Sequence, residues 1–456
     1  MKRPKKQFRR TACLQVFLKL RSLTCSDTSI AFWYVYMKSR FLFGLGLLSA
    51  TALIHPAFGA EDARTLQIVV SKDRQSLAVY DGDKAVATSK VSTGKRGHAT
   101  PSGIFSILEK EVYHESNLYS DSPMPFMQRL TWSGIALHES NSVPNYPASH
   151  GCVRMPKAFA KMLYQMTERG VHVVIADQPL VPQPFEHAML FQPEAVPASV
   201  LFSDLELRPT TAFLSQAQPV QVATNDVAAL PMPQATQAAP LDPAPLGILI
   251  TRRGLRENVR DLQGLLNDMG FATGTPDGML GPATVQAIED FKKAHNIKTS
   301  GGLVSPALMK AVYDVAGKGE PPNGEIMVRQ NFKPLFEAPA IIAEPQEALG
   351  THFFTAHTID KVNGKADWFG VTLEDDLSKD AKKRLGITSE AHAESLDAAD
   401  RALDRVTIPN DTRRKIEDLL TAGSSLTISD TGIGPETGDQ TDFITITNRG
   451  ALGKRG

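Results

Sequence analysis

Ile135-Ala-Leu-His138-Glu-Ser-Asn-Ser-Val-Pro-Asn-Tyr-Pro-Ala-Ser149-His150-Gly151-Cys152-Val153-Arg154-Met155-Pro156 is the stretch that decides how this chain is read. A thiol of ordinary pKa is mostly protonated at neutral pH, so a nucleophilic cysteine needs a base or a positive environment. His138 ends an apolar strand-like run, and His150 lies two residues before Cys152. Gly151 permits a tight turn that presents the thiol and frees nearby N–H groups for a developing oxyanion. The planar fork of Arg154 suits a substrate carboxylate or carbonyl. A helix starting near Pro156 aims its positive end at the thiol and favours thiolate. Nucleophile, base, oxyanion donors and anion anchor together specify acyl transfer from an amide. Two other readings stay open on these residues alone. A lone cysteine beside a histidine is often a packing residue, and two histidines with a cysteine suit zinc, although no fourth ligand stands at the usual spacing. Ser92-Thr93-Gly94-Lys95 also fits the S-x-x-K of serine acyltransferases, without the accompanying K-T-G.

Working outward, short runs rich in β-formers at 65–70, 76–80, 85–92, 103–108 and 134–137 predict several strands. After Pro156, Phe159, Met162, Leu163 and Met166 recur at helical spacing until Gly170, and Val171–Ile175 reads as a strand. The first domain is therefore mostly β and spans 65–178.

At this point the residues resemble a family. Ser149-His150-Gly151-Cys152-Val153-Arg154-Met155 with upstream Leu137-His138 is similar to the L,D-transpeptidase (YkuD-like) catalytic domain, and Pro144–Ser149 resembles the insert of its periplasmic branch. Ser92-Thr93-Gly94 and Thr100-Pro101-Ser102-Gly103-Ile104-Phe105 resemble further elements of that family. The resemblance implies Cys152 as nucleophile and His138 as general base and acid. It also implies that His150 shapes the site, that Gly151 and Cys152 line the oxyanion pocket, and that Arg154 holds the acyl donor, with Ser149 and Glu139 beside the substrate. Glu139 departs from the family pattern, where glycine often follows the histidine; its backbone carbonyl can still orient the base. The implied substrates are peptidoglycan stem peptides, and no metal or organic cofactor is required.

Twelve of the 30 prolines fall between Pro179 and Pro245, so 179–250 reads as a Pro/Ala/Gln-rich linker, exposed and protease-sensitive. From 255 to 315 the pattern turns helical, with Val259, Leu262, Leu265 and Leu266 and then Val285, Ile288 and Phe291 on common faces. Gly281-Pro282 and Ser305-Pro306 are helix starts. Val259-Leu262-Gln263, Asp277-Gly278-Gly281 and Phe291 resemble the three-helix peptidoglycan-binding domain of cell-wall enzymes, which implies binding through Asp277, Gly278 and Gly281; a ligand-free helical module is the other reading. Residues 316–345 read as a second linker.

The α+β region 346–448 echoes the first domain. Val153–Asp177 aligns without gaps on Val406–Asp430, and Trp132–Leu137 aligns on Trp368–Leu373. His138 then meets Glu374 and Cys152 meets Arg405, so the region reads as a degenerate catalytic-domain copy lacking base and nucleophile; chance β-α-β similarity is the competing reading.

Residues 1–60 carry ten Lys/Arg and one acid, which leaves 39 basic and 48 acidic residues beyond them. That mildly acidic body excludes a phosphate-tracking nucleic-acid surface. Met37-Lys38-Ser39-Arg40, the apolar run Phe41–Ile54 and small residues near Gly59 and Ala60 form a secretory signal, with Met37 as the expected start. The run is too short for a stable membrane span after cleavage. The expected location is the periplasm or cell wall, with Cys152 the single thiol; the sequence carries no signal for oligomeric state. The whole is thus a multi-domain enzyme joining donor stem to amine acceptor. Its rivals are a carboxypeptidase or amidase that uses water, and a non-catalytic wall-binding scaffold.

Overall fold

The computed structural model describes residues 64–116, 121–195, 244–298, 302–375, 377–389 and 396–448. The expected signal segment and the middle of the first linker lie outside these residues.

The chain runs β1 (Leu66–Ser71), β2 (Ser76–Asp81), β3 (Lys84–Lys90), β4 (Ser102–Ser106), β5 (Glu109–Glu111), β6 (Met127–Arg129), β7 (Ala136–Glu139), β8 (Val153–Met155), α1 (Lys157–Met166) and β9 (His172–Ala176). A six-stranded sheet has β4, β9, β1, β2 and β3 in that order, and β5-β6-β7-β8 form a second, four-stranded sheet. β1 and β9 pair in parallel at the centre and are buried along their whole length, as continuous apolar runs require. β3, with Lys at both ends, is the exposed edge. α1 buries Phe159, Ala160 and Leu163. Met162, expected on that face, is 41% exposed, because α1 turns Ala160 inward instead.

After β9 come β10 (Gln183–Phe185), β11 (Leu246–Arg252), α2 (Leu255–Asp268), α3 (Pro282–Ala294), α4 (Pro306–Val315), β12 (Gly324–Gln330), β13 (Lys333–Ile342), β14 (Thr351–Asp360), β15 (Lys365–Leu373), α5 (Lys379–Leu385), α6 (Leu396–Asp404), β16 (Val406–Thr407), α7 (Asn410–Leu419), β17 (Ser425–Ser429) and β18 (Thr445–Asn448). They build an eight-stranded sheet ordered β10-β15-β14-β17-β11-β12-β13-β16.

Five strands of this sheet repeat the order and sense of the first. β11 lies between β17, parallel, and β12, antiparallel, as β1 lies between β9 and β2. β14 pairs antiparallel with β17 as β4 does with β9, and β13 follows β12 as β3 follows β2. The preceding helices also match. α1 follows Pro156 (φ −62°, ψ 145°) and α7 follows Pro409 (φ −60°, ψ 140°). Each is followed, between its C-cap and the next strand, by a positive-φ glycine, Gly170 at +96° and Gly423 at +85°.

This architecture corrects the expected boundaries. The presumed linker 179–250 contains β10, most of β11 and the buried Phe185, Leu190 and Phe191, and the presumed linker 316–345 holds the hairpin β12–β13. Alternating or continuous apolar residues there were outweighed by the surrounding prolines. The region 346–448 is likewise not a closed unit, since β11–β13 precede it and β18 pairs with β4 of the first sheet. The alignment of Trp132–Leu137 on Trp368–Leu373 also fails: β7 pairs with β6 and β8, whereas β15 pairs with β14 and β10. Glu374 therefore does not stand where His138 stands.

The two lobes clasp each other. β10, from the tail of the first lobe, edges the second sheet, and β18, from the tail of the second, edges the first. Val69, Tyr80, Ile104 and Val174 of the first sheet form one buried cluster with Phe353, Val371 and Leu373 of the second. The three helices α2–α4 share their own core of Leu262, Leu266, Ile288, Phe291, Leu308 and Val312 and are inserted between β11 and β12. Arg260 to Glu337 (3.2 Å) and Arg253 to Asp261 (2.6 Å) tie the insert to the sheet.

Candidate active site

The four-stranded sheet positions the chemistry. β7 and β8 run parallel with Leu137 opposite Val153, His138 opposite Arg154 and Glu139 opposite Met155. Cys152 is the residue just before β8, so the same pairing brings the histidine strand and the cysteine turn together. The turn has a specific support. Gly151 has φ +120°, and a Cβ there would meet Ile135 Cδ1 at 2.8 Å. Its carbonyl accepts from Thr100 Oγ1 (2.6 Å), while Ser149 Oγ accepts from the Gly151 amide (3.2 Å) and donates to the Cys152 carbonyl.

The motifs at 92–94 and 100–103 build the wall behind this turn. Thr93 O accepts from the amides of Ala148 and Ser149, and Lys95 N donates to Ser149 O. Gly94 N donates to Thr100 Oγ1 (2.8 Å), and a Cβ on Gly94 would lie 2.0 Å from the His98 carbonyl. Gln75 fixes Thr93 through two bonds, to its hydroxyl (2.8 Å) and from its amide (2.9 Å). Sequence reasoning gave Gln75 and Thr100 no part. Thr100 lay in a quoted motif, but no signal marked Gln75, whose place depends on the β1–β2 turn.

His138 is buried, and its Nδ1 donates to the Glu139 carbonyl at 2.7 Å. A carbonyl only accepts, so Nδ1 carries the proton and Nε2 keeps its lone pair. Burial pulls His138 down to about 4, helped by Arg154 and opposed by the Glu139 bond. The imidazole is therefore neutral at pH 7. Cys152 is partly exposed as a residue, and its Sγ donates to the Gly134 carbonyl at 3.3 Å. Burial pushes the thiol up; the Ala136 backbone and the charges of Arg154 and Arg129 work against it. This corrects the expectation of a thiolate favoured at rest: enclosure of the sulfur outweighs the positive surroundings. The resting pair is neutral thiol and neutral imidazole.

His150 is exposed, with its ring edge-on to His98 at 4.7 Å between centroids, and desolvation and the charges of Lys95, His98 and Arg154 lower its pKa. Arg154 is anchored through its backbone to Ser92, at 2.9 and 3.0 Å. Glu139 is buried, with its amide bound to Pro125 O (2.9 Å). Ser149, Gly151, Cys152, His138 and Arg154 thus converge.

Asp277, Gly278 and Gly281 lie apart, in the helical insert, and each serves its turn. Asp277 Oδ1 accepts from Gln263 Nε2 (3.0 Å) and the Met279 amide (2.8 Å), which lowers its pKa. Gly278 has φ +76°, with Arg256 where a Cβ would fall, and Gly281 is the residue preceding α3.

The second lobe has a different arrangement at the matching place. Arg405, just before β16 as Cys152 is just before β8, is largely buried. It donates to the carbonyls of Ala343 (3.1 Å), Ala348 (3.0 Å), Glu344 (2.9 Å) and Glu347 (2.7 Å). The ion pair Lys72–Asp177 (2.6 Å) of the first lobe has its counterpart in Arg252–Asp430 (2.6 Å).

Comparisons with known proteins agree with this division. The family model "L,D-transpeptidase catalytic domain" matches residues 66–175, and "Putative peptidoglycan binding domain" matches 256–312. A curated relative, "Putative L,D-transpeptidase YqjB" of Bacillus subtilis, is 31% identical over 127 residues, covering 24% of this chain and 70% of that protein. Among solved structures, an L,D-transpeptidase from Mycobacterium smegmatis is 22% identical with a TM-score of 0.23, covering 25% of this chain and 58% of its own. One from Stackebrandtia nassauensis is 27% identical with a TM-score of 0.23, covering 27% of this chain and 60% of its own. The chain thus spans less than two thirds of these solved chains. Its sequence relationship and the domain it carries at 66–175 place it in one group: the chain belongs to the L,D-transpeptidase family.

Proposed function

We propose that this protein is an exported peptidoglycan L,D-transpeptidase whose acyl transfer runs through Cys152. The observation that carries the reading is the β7–β8 register, with His138 and Arg154 paired across it and the Cys152 thiol against Gly134 O. In the first step His138 Nε2 takes the thiol proton as sulfur attacks the carbonyl of the L,D-peptide bond of a tetrapeptide stem. The C–N bond breaks, the proton passes from His138 to the departing amine of the terminal D-residue, and a thioester remains. In the second step an amine of another stem attacks the thioester; C–N forms as C–S breaks, and His138 passes the amine's proton to the departing sulfur. Arg154 holds the donor, His150 shapes the site, and Ser149 and Glu139 lie beside the substrate. The amides of Cys152 and Gly151 serve the oxyanion, which takes the place of Ser149 Oγ on the Gly151 amide.

The inserted helices bind peptidoglycan, and their fixation on the second sheet gives the enzyme a set attitude toward the wall. The shared strand order, the matched ion pairs and the ungapped match of Val153–Asp177 to Val406–Asp430 support the second lobe as a non-catalytic copy of the first. That copy begins at β11 and is interrupted by the insert. Residues 37–60 direct export to the periplasm or cell wall.

The test is product analysis with purified tetrapeptide stems. Release of the terminal D-residue together with cross-linked dimers, both lost in Cys152→Ala, is the expected result. Release with no dimers under excess amine would make the enzyme a carboxypeptidase. No release, with wall binding intact, would leave a scaffold.

A further inference from the structure

The second lobe does more than support the first. Its last segment leaves β17, crosses to the catalytic lobe and ends as β18 on β4. The crossing is tightly held. Asp430 accepts from Arg252 (2.6 Å) and from the amides of Leu349 and Gly350 (2.8 and 2.9 Å). Arg329 donates to Gly438 O (2.7 Å) and Thr441 O (3.1 Å), and Thr437 Oγ1 accepts from the Ile444 amide (2.8 Å). Ile444 is buried in the core of the catalytic lobe.

In the middle of this braced segment Glu436 Oε2 lies 3.4 Å from the Ser133 amide. Ser133 precedes Gly134, whose carbonyl accepts from the Cys152 thiol. A carboxylate of the second lobe therefore stands on the same 131–135 turn whose Gly134 carbonyl holds the nucleophile. The charges that act on Cys152 and on His150 are positive: Arg129 and Arg154 on the thiol, and Lys95, His98 and Arg154 on His150. The site has cations for a donor stem, which ends in a carboxylate; of the carboxylates nearby, Glu139 is buried and Glu109 is paired with Arg129 (2.7 Å), while Glu436 is half-exposed beside the 131–135 turn.

We propose that Glu436 binds the ammonium of the amine acceptor and selects an amine over water in the second step. The proposal rests on the acyl-transfer reading above and names its second substrate by charge: a stem peptide with a side-chain primary amine. The acceptor arrives as R–NH3+ against Glu436 and loses one proton to solvent. The free amine then attacks the thioester, with C–N forming as C–S breaks. His138 takes the second amine proton during the attack and passes it to the departing sulfur, regenerating thiol and neutral imidazole. A charge-assisted contact at the site edge is worth about one order of magnitude.

The experiment measures the ratio of amine-transfer product to hydrolysed product at fixed donor and varied amine, for the full chain and for Glu436→Gln, Glu436→Asp and Glu436→Lys. Gln still accepts from the Ser133 amide, so the fold is kept, and melting curves check it. The expected result is a ratio about tenfold lower in Glu436→Gln, lower still in Glu436→Lys, and recovered in Glu436→Asp, with the loss seen as a raised KM for the amine. Ratios equal to the parent in both Gln and Lys variants overturn the proposal. Absence of any thioester on Cys152 in the parent protein overturns instead the acyl-transfer reading beneath it.

Discussion

The two lobes share five strands, a helix and a left-handed glycine in the same order, yet they treat the place just before the short strand in opposite ways. In the first lobe the turn at Ser149–Cys152 is kept open by Thr100 and a positive-φ Gly151, and presents a thiol beside a neutral imidazole. In the second, Arg405 spreads four hydrogen-bonded contacts over the carbonyls of Ala343, Glu344, Glu347 and Ala348 and closes the space. The four-stranded sheet that carries His138 has no counterpart among the described residues of the second lobe. The comparison teaches that the large sheet supplies stability while the chemistry comes from an added layer. A lobe without that layer is free to serve as mount for the inserted helices and as source of a return strand.

The largest effect separates the turns. Cys152→Ala should lower D-residue release at least about 10³-fold, whereas Arg405→Ala should leave the thioester-forming turn intact and act on stability. Stripping four carbonyls of a largely buried partner should cost about 3 kcal/mol, read as a lower urea midpoint.

The matched ion pairs sharpen the contrast. Asp430 is fully buried, with Arg252 6% exposed, while Lys72 and Asp177 are 15% and 33% exposed. Asp430→Asn leaves a buried guanidinium uncompensated and should destabilise by about 3–5 kcal/mol. Asp177→Asn should cost about 1 kcal/mol or less. Equal costs in chemical denaturation would mean that the two lobes are not built on the same frame.

Acid should act on both lobes, but only one response is catalytic. His138 and His352 are each held at about 4 by burial, below the ordinary 6.5. Such a group is neutral in the folded chain while the unfolded chain takes up a proton. Stability is therefore complete above about pH 6.5 and declines as pH falls toward 4, by about 3 kcal/mol per histidine at the most. Glu325, pushed up to about 7 by burial, acts in the opposite sense, so the slopes are compared between the parent and His352→Gln. The kcat/KM for D-residue release should hold level from pH 7 down to pH 5 and fall near 4, where His138 gains its proton.

The smallest effect concerns the connection. Cleavage at a protease site placed near residue 220 should leave two pieces that co-elute and retain D-residue release. β10 on β15 and β18 on β4 hold the lobes together without the covalent link. Separation of the pieces in gel filtration would show that the tether sets their distance.

Much of this was legible in the sequence. The run from His138 to Arg154 located the turn and its residue types, and Pro156, Pro409, Gly170 and Gly423 announced two equivalent helices. The three inserted helices were readable from Gly281-Pro282 and Ser305-Pro306, since local caps need no tertiary partner. What the sequence hid were pairings between distant segments. β11 and the β12–β13 hairpin lay among prolines that signalled linker, and their identity depends on β17, far along the chain. Glu436 lies in a loop of ordinary turn composition, and only its place on Ser133 gives it meaning. The protonation state of Cys152 was misjudged for the same reason: nearby positive charge is visible in sequence, but enclosure is not.

The central claim is that Cys152 captures an acyl group from a stem peptide. Its most direct test is peptide mapping by mass spectrometry after the full chain is mixed with a tetrapeptide stem and quenched in acid. The account predicts a tripeptide-acyl thioester on the fragment containing Cys152, absent in His138→Gln and absent from every fragment of 244–448. An unmodified Cys152 fragment beside released D-residue would contradict it.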